Sequence, residues 1–312
     1  MSSPNLVPNL VPTPMIYSTL ALSIIGFFGN STIVLATFCN KRLQSRCNVL
    51  IALLALCDVI VCVYLIHLRV LMLLKVYMIP SSSCFFLSSY GLFALNMQSS
   101  LGLVIGLDRL YNVSFPLKYS RVPDAAYIIL FALCVLFSVS ITLTGYFDSK
   151  DDEWVPVCLP PTAYNARSRV IWVVSNFVIA VLVILVYGSA HIRCQLLRAK
   201  HQYEQTMESV NRLLKSLTVV ISIYVCTWFL TISSLVVSQI IKFSPSVTAE
   251  INQQLGWLVI INASLNFFVY FWRTPEYRKA FLRLYGLSRF VSSDNSFAAA
   301  SRVLKTSNVR VA

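Results

Sequence analysis

Apolar residues in this chain gather in seven long runs, at 15–38, 47–68, 84–110, 125–147, 169–192, 213–241 and 251–272. Each is long enough to cross the roughly 30 Å hydrocarbon layer of a bilayer, which takes about 20 helical residues. Short polar or proline-bearing breaks separate them, among them 40–46, 80–83, 116–124, 148–168, 193–212 and 244–250. One more stretch, 275–284, is amphipathic but too short and too charged to span. The pattern predicts an all-α protein. A tail at 1–14 precedes a seven-transmembrane helix bundle at 15–273. A short amphipathic eighth helix follows at 274–286, then a disordered tail at 287–312.

Composition narrows the class further. The chain is 57% hydrophobic and only 12% charged, against about 45–50% and about 25% in soluble proteins. So little charge cannot dress the surface of a 312-residue globule, which excludes a soluble enzyme. Charge also orients the bundle. With the N-terminus outside, 19 of the 25 Lys and Arg fall on inner segments and 6 on outer ones, the asymmetry expected of a multi-pass cell-membrane protein. The basic balance thus belongs to a cytoplasmic, membrane-facing surface, and a nucleic-acid partner has nothing left to explain. Residues 1–14 carry no Lys or Arg, so the first run reads as an anchor rather than a cleaved signal.

Polar residues inside spans are costly and mark functional places. The third run ends in Asp108-Arg109. At 100° per residue, Arg109, Gln98 and Gly91 share one helical face, with Asn96 beside it. The seventh run carries Asn262, Asn266 and Tyr270 in an i, i+4, i+8 row. The second holds one carboxylate, Asp58. Three helices therefore each offer an inward polar stripe, which favours a hydrated cavity over simple bundle glue.

In order and spacing these landmarks resemble the rhodopsin-like G-protein-coupled receptors. The matching residues are Gly29-Asn30; Asn48 with Leu54-Ala55-Leu56-Cys57-Asp58; Cys84 and, 25 residues on, Asp108-Arg109-Leu110. Then come Pro116-Leu117-Lys118-Tyr119, Cys158, Asn266-Phe267-Phe268-Val269-Tyr270 and Tyr277-Arg278-Lys279-Ala280-Phe281. The Lys41–Asn48 loop, the compact length, the short third inner loop and the proline-poor helices are similar to the nematode serpentine chemoreceptors of the srsx type. Departures stand beside the matches. The family's prolines in the fifth to seventh spans are absent, and its Cys-Trp-x-Pro place reads Cys226-Thr227-Trp228-Phe229. How the sixth helix hinges is an open question for the structure.

The resemblance implies an unknown extracellular ligand, chemosensory and small, and a heterotrimeric G protein as partner, with no cofactor. It implies a disulfide between Cys84 and Cys158, the two cysteines at the outer edge, where oxidation is permitted. Asp108, Arg109, Tyr187 and Tyr270 would form the activation switch, with Arg109 paired to Asp108 at rest. Asp58, Gln98, Asn262 and Asn266 would form a polar cavity able to hold a sodium ion; the alternative is a protonated Asp58 bonded to Asn. The ligand pocket would take Arg69, Gly91, Leu95, Asn96, Trp228, Thr231, Asn252 and Gly256. Arg69 reads as snorkelling to the outer interface, with an acidic ligand as the alternative. Gly91 stands where amine receptors carry an acid, which disfavours an amine ligand. A neuropeptide receptor is the second reading within the class. A secondary transporter is the reading outside it, weakened by the lack of two corresponding halves. The three histidines lack the spacing of a metal site, so no enzyme is expected.

Overall fold

The computed structural model describes residues 10–199, 218–219, 221–241 and 243–287. Among these, seven helices are long and apolar enough to cross a membrane. They are α1 (Thr13–Cys39), α2 (Arg46–Leu73), α3 (Ser81–Ser114), α4 (Asp124–Asp148), α5 (Ala166–Ala199), α6 (Ile221–Ile241) and α7 (Pro245–Arg273). A shorter helix, α8 (Pro275–Leu284), follows directly. The expected seven-helix bundle is thus present, with an eighth helix after it. The predicted tail at 287–312 lies almost wholly outside the described residues, as do 213–217 of the sixth run.

Helix starts run ahead of the apolar runs. Helix α1 opens at Thr13, inside the segment assigned to the tail, and α7 opens at Pro245 rather than 251. Hydropathy misses such first turns because they are polar. Proline marks them instead. Pro14, Pro116, Pro160, Pro245 and Pro275 sit at the first or second helical position, where the missing N–H has no intrahelical partner to lose.

Helix α3 is the axis of the bundle. It packs against α2, α4 and α5, while α1 packs against α2 and α7. Helix α4 sits at the margin. Its buried residues are Cys134, Ser138, Ile141 and Gly145, a single stripe at helical spacing. Large apolar side chains such as Phe28, Phe38, Ile128, Phe147 and Trp272 are exposed. Water would penalise that display; acyl chains accept it. Helix α8 buries Tyr277, Ala280 and Phe281. Its Phe281 ring lies 5.0 Å from that of Phe267 on α7, and Tyr277 meets the Thr37 hydroxyl of α1 at 3.1 Å.

At one end of the bundle a long loop folds back over α3. Cys84 and Cys158 are joined in a disulfide with Cα atoms 5.6 Å apart. Ile79–Pro80 pairs antiparallel with Trp154–Val155. The backbone N–H groups of Met78, Ser81 and Ser82 donate to Pro156, Glu153 and Lys150 of that loop. The disulfide closes a loop of 74 residues and holds the pairing in place. Cys84→Ser is expected to cost about 2–4 kcal/mol and to lower both surface biotinylation and melting temperature; wild-type values for both would refute the assignment.

Candidate functional site

Three polar assemblies lie along the bundle. The middle one centres on Asp58, which is fully buried. Gln98 of α3 donates to its Oδ1 at 2.7 Å, and Asn266 of α7 donates to its Oδ2 at 2.6 Å. Two amide donors thus meet the demand of a carboxylate that would otherwise be an uncompensated charge. Asn30 of α1 donates to the carbonyls of Gly26 and Ala263, tying α1 to α7. Asn262 Oδ1 lies 3.0 Å from the Thr227 hydroxyl of α6. Gln98, Asn262, Asn266, Tyr187 and Tyr270 line a cavity of about 80 Å³. The predicted residues thus gather here, Gln98 and Asn266 on Asp58 itself and Asn262 across the shared cavity, which also reaches both predicted switch tyrosines.

Helix α6 answers the question left by its missing proline. Val225–Phe229 forms a π-helical turn at the position of the absent motif. A π turn inserts a residue and opens the ladder, one of the few physical causes of a helix bend. Thr227 and Trp228 both lie within it, and both are buried.

At the end opposite the disulfide, Asp108 is buried and accepts hydrogen bonds from Tyr119 at 3.0 Å and Tyr127 at 2.6 Å. It forms no ion pair with Arg109, unlike Arg46 with Asp124 or Lys150 with Glu153. This corrects the expected Asp108–Arg109 pairing. Neighbouring residues on a helix do not face each other, so Asp108 turns to α4 and the Pro116–Tyr119 turn. Arg109 lies near Cys47, Tyr270 and Tyr187 as well as Asp108. Space for Tyr187 comes from Gly106, where a Cβ would sit 2.6 Å from its ring.

At the disulfide end lies a deep cavity of about 30 Å³. That is room for little more than two water molecules, each needing about 10–15 Å³ on this measure. Six predicted pocket residues line it: Arg69, Leu95, Trp228, Thr231, Asn252 and Gly256. Gly91 and Asn96 do not. A Cβ at Gly91 would fall 2.1 Å from Tyr64 Cγ, so this glycine is a packing contact. Asn96 Oδ1 accepts from Trp172 at 3.1 Å and Asn176 at 3.2 Å, and its Nδ2 donates to the Tyr164 hydroxyl at 3.3 Å. With those partners it braces α3 against α5. Burial pushes the Tyr164 phenol up to about 12, opposed in part by the Asn96 bond, so it stays neutral at physiological pH. Sequence reasoning missed Leu159, Pro160 and Pro161, which cover the cavity; their position just after Cys158 was the available signal.

Arg69 is the second correction. It is only 2% exposed, so it does not snorkel. Above it a wider vestibule of about 500 Å³ opens, lined by Trp154, Arg169 and Gln253 among others, and sharing Leu159 and Asn252 with the deep cavity.

Comparison with known proteins agrees with this architecture. The family model described as serpentine type 7TM GPCR chemoreceptor Srsx matches residues 23–285. The mouse protein named "Trace amine-associated receptor 9" is 24% identical over 303 residues, covering 86% of this chain and 84% of its own. Gln98→Leu, which leaves Asp58 a single donor, is expected to cost about 1.5–3 kcal/mol, measured as a fall in melting temperature in detergent. An unchanged melting temperature would mean that this bond does not hold α2 to α3.

Proposed function

Because the chain belongs to the Srsx family of serpentine G-protein-coupled chemoreceptors, membrane receptors and not enzymes, we propose that it detects an external small molecule and activates a heterotrimeric G protein. The disulfide end is taken as the outer, ligand-facing end. The observation that carries the reading is the α6 π turn and its two sets of contacts. Trp228 and Thr231 line the deep cavity. The Thr231 hydroxyl donates to the Thr227 carbonyl at 2.8 Å, and the Thr227 side chain reaches Asn262. Asn262, Asn266, Gln98 and Tyr270 then surround the cavity that leads to Arg109's neighbours.

A ligand shifts an equilibrium only by its differential affinity for two states. Here it presses on the segment of α6 whose hydrogen-bond ladder is already open. Outward movement of the far end of α6 would release Tyr187 and Tyr270 from their present packing. Arg109, permanently charged and rich in donors, then faces the G protein. Asp108, held by Tyr119 and Tyr127, stabilises the resting arrangement of that end.

The acidic run at 148–153 favours the small-molecule reading over a cationic peptide. Asp148 accepts from the Ser168 N–H, Asp151 from Ser82, and Glu153 from Lys150. Three of its four acids are thus already engaged, two by the ends of α3 and α5 and one within the loop. An amine ligand at Gly91 lacks both an acid and the space for one.

We also assign sodium sensing to the Asp58 cluster. Rotating either amide would replace its N–H donor with a carbonyl oxygen, the ligand type a hard cation takes. Agonist affinity is then expected to differ between sodium and choline chloride in the wild type and not in Asp58→Asn. An agonist affinity indifferent to sodium in the wild type removes this assignment.

The central test is nucleotide exchange on reconstituted G proteins with a ligand panel. Arg109→Ala is expected to abolish exchange while leaving ligand binding, and Asp108→Asn to raise exchange without ligand. Normal signalling from correctly trafficked Arg109→Ala would sink the mechanism.

A further inference from the structure

Arg69 lies in α2 facing the deep cavity and is paired with no carboxylate. Among the described residues its guanidinium has one hydrogen-bond partner, the thioether of Met72 at 3.1 Å from Nη1. A thioether is a weak acceptor. Nε is buried with no partner. Nη2 points toward α7 at Gly256, where a Cβ would lie 3.4 Å away. The side chain is 2% exposed, and arginine does not shed its proton in a protein. The acids at this end do not answer it: Glu153 pairs with Lys150, and Asp148 and Asp151 accept from Ser168 and Ser82.

A second polar atom in the same cavity repeats the pattern. Of the residues lining it, Arg69 and Trp228 carry buried polar atoms without a hydrogen-bond partner, and both atoms, Nε and Nε1, are N–H donors. The cavity therefore holds unmet donors and a net positive charge. Its remaining wall is largely apolar, with Leu65, Leu95, Leu235 and Trp172. The open edge of the guanidinium, Nε with Nη2, is the edge that pairs side-on with the two oxygens of a carboxylate. The vestibule above carries Glu153 beside Arg169, so the positive charge that selects an anion is the one in the deep cavity itself, on Arg69.

We propose that the ligand of this receptor is a small organic monocarboxylate. Its carboxylate sits on the Nε–Nη2 edge of Arg69 within reach of the Trp228 indole N–H, and its apolar body fills the cavity beneath Leu159. The proposal rests on the receptor reading of the same cavity and supplies its ligand class. It also gives Arg69 a function: the unpaired charge costs the empty receptor stability, which a bound anion returns. The closed cavity, about 30 Å³ in this structure, opens around the ligand at the loop that follows Cys158.

The test uses the full chain in lipid nanodiscs. Melting temperature is read against butanoate, hexanoate, octanoate, benzoate and phenylacetate, each beside its primary amide. At least one acid is expected to stabilise the wild type, with its amide ~30-fold weaker or more, the loss typical of removing one member of a buried charge pair. Arg69→Met is expected to melt at or above the wild-type temperature without ligand, since an apolar residue of similar volume replaces an unpaired charge. It is also expected to lose the discrimination between acid and amide. Trp228→Phe keeps an aromatic wall and removes one donor, so acid affinity falls several-fold and amide affinity does not. The proposal is overturned if no acid outperforms its amide, if the discrimination survives in Arg69→Met, or if Arg69→Met melts lower without ligand, which would make Arg69 a scaffold residue. G-protein nucleotide exchange on the same preparations separates the two readings. Exchange driven only by neutral or cationic compounds overturns the carboxylate and keeps the receptor. Acid-selective stabilisation without exchange supports the carboxylate site and removes the receptor reading.

Discussion

A polar group taken out of water and into an apolar bundle must find its partner inside the protein. Asp58 shows the constraint at its sharpest. It is fully buried, and its two oxygens are held by amides from two other helices. Those two bonds set α2, α3 and α7 in register about one point. Asn30 brings α1 to the same place through backbone carbonyls, and Thr227 brings α6 through Asn262. Hydrophobic burial cannot do this in a membrane, where lipid tails are as apolar as leucine. Packing and hydrogen bonds between helices carry the specificity instead.

The same constraint makes the exceptions informative. Asp108 takes two tyrosine hydroxyls on one oxygen while its Oδ2 stays without a partner, and Asn96 is answered by Trp172, Asn176 and Tyr164. Arg69 is not satisfied. Asp58 has a donor on each oxygen, whereas the Arg69 guanidinium faces a cavity with a thioether as its hydrogen-bond partner. That contrast separates groups that build the bundle from a group kept for something that arrives from outside.

Helix α6 joins the two ends. Proline bends a helix by removing a donor and crowding the preceding turn. The π turn at Val225–Phe229 reaches a similar result without proline, by interrupting the regular ladder. It lies between the deep cavity, touched by Trp228, and the Asp58 cluster, reached by Thr227. A bundle otherwise short of helix breakers thus places its one described irregularity within a spanning helix where two polar sites meet.

By itself the sequence determined the helices, their number and their membrane setting, because hydropathy acts locally and each run is long. Through helical spacing it also pointed to the polar stripes around Asp58, since residues at that spacing share a face whatever their neighbours are, and through the family resemblance it made the Cys84–Cys158 pair legible. What it could not determine was which neighbour answers each polar atom. Asp108 and Arg109 are adjacent in the chain but diverge around the helix, so their partners come from elements 11 or more residues away. Asn96 reads as a pocket residue until α5 supplies Trp172 and Asn176. Gly91 reads as space until Tyr64 fills it. Arg69 reads as an interfacial cation until its burial is seen. The π turn, too, leaves no mark in composition. Each of these depends on distances between helices, which packing sets and hydropathy does not encode.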